Sequence, residues 1–239
     1  MYRPLSTLIL LMSVFFIACG ADEEVDEPSP TKVEQPAVVY GLHGDTYRNR
    51  EYVFKVSNLP VDGWTVLEVS NAAKKEIDEI WKAAWLGANQ NNEVLFNSTI
   101  SFLLMQPTSE DNFARTITEA ITKQIPFIYV FVEVQKITDI KTPKAYVQLL
   151  IELLGIILPP GSFEVTQEGS LSSKDRRPGY YFEMKLNDGS WGKQTVVLRN
   201  THQESPPIYR LYFWAPGDQY EELLPVYNQI VSSVEFRLN

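Results

Sequence analysis

One cysteine in 239 residues rules out an intramolecular disulfide and a dithiol redox pair. The fold must therefore stand on packing and hydrogen bonds alone. Histidine is as scarce. His43 and His202 are the only two, and neither stands in a spacing such as HxxxH or HExxH that would put two imidazoles on one metal. No GxSxG elbow, P-loop or GxGxxG turn is present, so no nucleophile or phosphate cradle announces itself. Positive charge is in deficit, with 21 Lys and Arg against 30 Asp and Glu and a net charge of −9. A nucleic-acid partner needs clustered cations. The nearest cluster, Lys174, Arg176 and Arg177, is interrupted by Asp175 and reads as a solvated loop. Beyond the first 18 residues no stretch can span a bilayer: Phe127–Val132 is apolar but far too short, and Glu133 follows it. These absences lower the prior for an enzyme and point to no cofactor and no metal.

What is present is the composition of one ordinary globular domain. Hydrophobic residues make up 44%, and 12 Tyr, 12 Phe and 5 Trp supply a core. The first residues stand apart from that domain. Arg3 is followed by Leu5 to Ala18, apolar except for Ser6, Thr7 and Ser13, a length that suits a signal-peptide core. The stretch ends in Phe16-Ile17-Ala18-Cys19, which resembles the lipobox of bacterial lipoproteins, with Phe16 where Leu is usual. That resemblance implies a diacylglyceryl group on the Cys19 sulfur and cleavage just before it, so that residues 1–18 are a leader.

Residues 20 to 36 hold Asp22, Glu23, Glu24, Asp26, Glu27 and Glu34 with Pro28, Pro30 and Pro36. Such a segment cannot bury enough apolar surface to offset its ordering entropy. A buried thiol would have nothing to pack against there; a fatty anchor followed by a polar tether explains the order. The tether is expected over residues 19–45, spanning about 30 Å if fully flexible and more with its prolines and like charges. Losing Arg3 makes the chain one unit more negative, so the domain would not adsorb electrostatically to anionic lipid.

From Thr46 to Asn239 the pattern is one domain of mixed strands and helices. Tyr52–Leu59 and Trp64–Val69 read as strands joined by Pro60-Val61-Asp62-Gly63. Asn71 can cap a helix to about Leu86. Val94–Met105 and Ile128–Ile137 read as strands, with a helix over Phe113–Lys123 between them. Thr142 and Pro143 fit an N-cap and first-turn pair opening a helix to about Leu154. Strands are expected at Phe163–Gln167, Tyr180–Leu186, Thr195–Arg199 and Ile208–Trp214, with Asn187-Asp188-Gly189 as a turn. A helix around Tyr220–Ser232, which Pro225 must start or kink, leads to a closing strand Val234–Leu238. His43 falls at the end of the expected tether, and His202 in a hairpin loop.

"REYVFKVSNLPVDGW" and "IYRLYFWAPGDQYEELLPVYNQIVSSVEF" resemble the opening and the ending of PsbP-like and Mog-type proteins. The ending carries Pro225, Tyr227, Ile230, Ser233 and Phe236. The resemblance spans roughly residues 46–239 and implies an α+β fold, an antiparallel sheet flanked by helices on both faces. Its motifs are marks of packing and turns, and it carries over no binding residue.

Three function classes remain open. A surface-tethered, non-catalytic module that binds or assembles another envelope protein is favoured, with the membrane as its other partner through Cys19 and a monomeric domain. A small-ligand or saccharide-binding lipoprotein is the second, and a carboxylate-dependent hydrolase the third. Within Thr142–Leu158, Gln148 and Glu152 form the one wet stripe. Val147, Leu150, Ile151 and Leu154 form an apolar face, which Tyr146, Leu149 and Leu153 widen beyond what a surface helix needs. Either neighbouring elements bury all of it, as general burial favours, or Tyr146, Leu149 and Leu153 remain exposed as candidate partner-binding residues. The tether carries its own expectation: a chain beginning near Tyr40 should melt within a few degrees of the full mature chain. A larger loss in a thermal melt would show that the acidic segment packs on the domain.

Overall fold

The computed structural model describes residues 40–69, 96–107, 114, 117–135, 141–199 and 207–236. In Ile208–Ala215 (IYRLYFWA) nearly every residue is buried. A strand's side chains alternate between two faces, so an uninterrupted apolar strand needs cover on both. The cover is visible in the packing. Tyr209, Leu211 and Phe213 belong to one apolar cluster, whereas Ile208 and Trp214 belong to two others. The structure is accordingly layered, with helices on each face of an antiparallel sheet.

In chain order the described elements are β1 (Gly41–His43), β2 (Thr46–Asn49), β3 (Phe54–Val56), β4 (Trp64–Glu68), β5 (Phe96–Pro107), α1 (Ile117–Thr122), β6 (Phe127–Gln135), α2 (Pro143–Ile157), β7 (Phe163–Ser172), β8 (Pro178–Leu186), β9 (Trp191–Leu198), β10 (Ile208–Ala215) and α3 (Gly217–Ser232). The large sheet runs β4-β5-β6-β10-β9-β8-β7, antiparallel throughout. A small sheet, β1-β2-β3, packs Tyr47, Phe54 and Val56 into the same cluster as α3. On the other face α1 covers Phe127, Tyr129 and Trp214, and α2 covers Phe182, Met184, Val196 and Leu198. The α+β expectation from the sequence is what the chain adopts.

The helix starts follow their local chemistry. Thr142 Oγ1 accepts the Ala145 N–H at 3.1 Å and Pro143 takes the first helical position, where its missing donor is harmless. α2 runs three residues past the expected Leu154, to Ile157. α3 starts at Gly217 and continues through Pro225, so the proline does not open the helix; it forgoes one interior hydrogen bond.

Several expectations are corrected. Strand β1, Gly41–His43, falls inside the span 19–45 expected as a tether. Gly44, at φ +56°, permits the tight turn that folds β1 back on β2 with His43 opposite Thr46. His43 thus lies in a strand, with Nε2 3.2 Å from the Tyr40 carbonyl oxygen. The strand at Tyr52–Leu59 shrinks to three residues, because Val53 and Asn58 adopt positive φ on either side of it. Strand β7 reaches Ser172 rather than Gln167: an edge strand stays solvated along one side, so its polar residues Gln167–Ser172 pair as well as apolar ones. The expected helix over Asn71–Leu86, along with His202, lies outside the described residues.

Among the described residues, which end at Phe236, the expected closing strand shows one bridge, Glu235 to Lys55. The tail is instead pinned from two sides. The Ser57 N–H donates to Ser233 Oγ at 3.0 Å, and that hydroxyl lies 2.5 Å from the Ser57 carbonyl oxygen. The Lys174 N–H donates to the Val234 carbonyl at 3.1 Å and the Phe236 N–H to Asp175 Oδ2 at 3.2 Å. The Glu235 carboxylate sits 3.2 Å from Lys55 Nζ and 2.6 Å from Lys174 Nζ. Burial by itself would raise its pKa, but the hydrogen bonds and charges of the two lysines outweigh that and hold it below the usual glutamate value. A depressed carboxylate stabilises the fold above its unfolded pKa and loses that contribution as pH falls through its folded one. Glu235→Gln should therefore be destabilising at pH 7, and the gap to the unmodified chain should close between about pH 5 and pH 3. Denaturant unfolding at stepped pH checks this; a gap that is independent of pH would show that the lysines do not act through charge.

Candidate functional site

The turn Asn187-Asp188-Gly189 sets the register of β8 against β9, with Ser190 Oγ donating to Asp188 Oδ1 at 2.6 Å and Gly189 at φ +88°. That register places Glu183 directly opposite Lys193 and Tyr181 opposite Thr195. On the next strand Gln167 stands opposite Glu183 and Gly169 opposite Tyr181. Rows of polar side chains thus cross β7, β8 and β9 on the face that α3 covers.

Lys193 is only 7% exposed. Its Nζ lies 2.8 Å from Glu183 Oε1 and 4.4 Å from the centre of the Tyr181 ring. A buried charge is tolerated only when paired, and the cross-strand glutamate supplies the pair. Tyr181 lies flat over Gly169, where a Cβ would come within 2.7 Å of its ring; only glycine permits that approach. The Tyr181 hydroxyl accepts from Gln167 Nε2 at 2.7 Å. Beneath α3, the Tyr227 hydroxyl is 2.7 Å from Thr195 Oγ1 and 3.0 Å from the Leu211 carbonyl oxygen. Burial raises the pKa of Tyr227, and that of Tyr220, where the charge of Glu183 adds to the effect. Both phenols stay protonated.

Between these rows and the C-terminal half of α3 lies a cleft of about 210 Å³. Tyr181, Lys193 and Thr195 form its floor, Leu171 and Val231 its apolar sides, and Asn228 part of its rim. The arrangement can hold a small molecule by hydrogen bonds; among the described residues, no group of three His, Cys, Asp or Glu side chains could hold a metal. None of these residues was singled out from the sequence. The signal was there in the Asn-Asp-Gly turn, from which cross-strand partners can be counted outward.

The candidate docking residues on α2 differ in exposure. Tyr146 is fully buried and Leu153 is 5% exposed, while Leu149 is half-buried. Tyr146 packs with Val147 and Leu150 against Phe182, Met184 and Val196. Of the three candidate residues, Tyr146 and Leu153 are buried and Leu149 is half-buried. Gln148 is turned to the sheet edge, its amide donating to Glu168 at 2.8 Å. The motif residues near the C-terminus are packing marks: Tyr227 and Ile230 are buried, and Phe236 meets Tyr209 edge-on at 4.5 Å. Cys19 lies outside the described residues.

No protein-family model and no curated protein matches the chain. It is similar to the solution structure of cyanobacterial PsbP (CyanoP) from Synechocystis sp. PCC 6803, at TM-score 0.46 and 10% identity over 87% of this chain and 99% of that one. It is also similar to LpqN, described as involved in cell envelope biogenesis of Mycobacterium tuberculosis, at TM-score 0.43 and 14% identity over 81% and 85%. A Pseudomonas aeruginosa protein of unknown function, PA94, a proposed regulator, follows at TM-score 0.37 and 10% identity over 59% and 83%. Overlaps this loose transfer no site residue, ligand or partner.

The burial of α2 separates two of its leucines. Leu153→Gln should destabilise the fold by about 3 kcal/mol or more, through a lost apolar contact and an unsatisfied amide. Leu149→Gln should cost less than about 1 kcal/mol. Chemical denaturation of the two single variants measures the contrast, and equal losses would contradict this packing.

Proposed function

We propose that this chain is a membrane-anchored extracytoplasmic lipoprotein whose folded unit is a non-catalytic binding or assembly module for another envelope protein. The observation that carries the reading is the placement of the sole cysteine. Cys19 closes an apolar leader and precedes an acidic, proline-bearing run, and the first described strand starts at Gly41. An acyl anchor, a polar spacer and a compact unit in that order suit a domain held clear of a bilayer. Among the described residues no helix is long and apolar enough to cross a membrane.

Replacing Cys19 with Ser in the native host should leave an uncleaved precursor and abolish labelling by a fatty-acid probe. The acylated chain, solubilised in detergent, should capture one envelope protein reproducibly. A mature N-terminus that is unmodified, or that lies beyond residue 19, would sink the anchor.

A further inference from the structure

The face of the large sheet beneath α3 is apolar across β6 and β10, where Val130, Val132, Leu211 and Phe213 meet the helix. It turns polar only toward β7, and there the cleft opens. We propose that this cleft binds a compact, neutral, hydroxyl-rich molecule the size of a single sugar ring. The proposal does not rest on the lipid anchor.

Charge balance selects the ligand class. The one ammonium in the floor, Lys193, already has Glu183 Oε1 at 2.8 Å, so the pair is neutral as a unit. The Glu183 charge so close to Lys193 offsets the attraction that Lys193 alone would exert on an entering carboxylate, and Lys193 likewise offsets the pull of Glu183 on an amine. A neutral ligand relies on neither attraction.

Hydrogen-bonding capacity fits hydroxyls in particular. An ammonium has three donors; Glu183 takes one, and the Tyr181 ring covers another side of Lys193 at 4.4 Å. The Tyr181 hydroxyl accepts from Gln167 and keeps its own proton to donate. Asn228, at an exposed position on α3, brings a donor and an acceptor to the rim. Ser232 Oγ, which donates to the Gln229 carbonyl at 2.8 Å, can still accept. Sites of this mixed character match hydroxyl groups, which both give and receive. Leu171 and Val231 offer apolar contact for the C–H edges of a ring. The volume of 210 Å³ holds about seven waters, below the range of drug-sized pockets and suited to one ring.

The test is saturation-transfer NMR on the full chain, held in a zwitterionic detergent without a sugar headgroup. The probes are glucose, galactose and N-acetylglucosamine as neutral ligands, with glucuronate and acetate as charged ones. At least one neutral sugar should show transfer, and Asn228→Trp, which fills the rim from an exposed helix position, should weaken it by about tenfold or more. Ser232→Leu is the second blocking variant, used should Asn228→Trp lower the melting temperature. Three results overturn the proposal: no transfer to any neutral sugar, transfer to the charged probes alone, or neutral-sugar transfer that survives both variants. Cys19→Ser should leave sugar binding unchanged, so a failed anchor and a failed cleft are read separately.

Discussion

Strand β10 bonds to β6 on one side and to β9 on the other, and it sends large side chains to both faces of the sheet. Two layers of cover are needed to keep Tyr209, Leu211 and Phe213 dry above and Ile208 and Trp214 dry below. α3 and the small sheet form one layer, α1 and α2 the other. The positions of all three described helices follow from this requirement. So does the burial of the inner face of α2: Tyr146, Val147 and Leu150 pack against Phe182, Met184 and Val196, while Leu149 stays half-buried.

The same requirement explains where polarity is allowed. At the middle of the sheet a polar side chain must find a partner inside the protein. Tyr227 does so through Thr195 and Leu211, and Arg210 lies 4.4 Å over the Phe131 ring with Gln194 2.6 Å away. Toward β7 the cover thins, because α3 crosses β9 and β10 but leaves the outer strands partly open. There Glu183 and Lys193 pair at 2.8 Å, and the cleft opens beside Lys193.

The tail after α3 ties the layers together. Residues 233–236 bond to β3 on one side and to the β7–β8 turn on the other, with Glu235 held between Lys55 and Lys174. The small sheet, the last helix and the far end of the large sheet are therefore fastened at one place.

Much of this was legible in the chain itself. Ile208–Trp214 read as a strand, Thr142-Pro143 as a helix start and Asn187-Asp188-Gly189 as a turn, because each depends on neighbours close in sequence. The lipobox-like Phe16–Cys19 and the acidic run after it are likewise local and need no fold to be read. The ends of elements were less legible: β7 outran its apolar residues because its edge is solvated, and Val53 and Asn58 cut β3 short by backbone conformation. What only the tertiary structure decided was exposure and meeting. An apolar residue on a helix does not say whether a sheet lies beneath it, so Tyr146 could be placed on a face but not inside or outside. Glu183 and Lys193 are ordinary surface residues by type, and they become a buried pair beside a cleft because strand register and the reach of α3, both set by contacts distant in sequence, bring them together under partial cover.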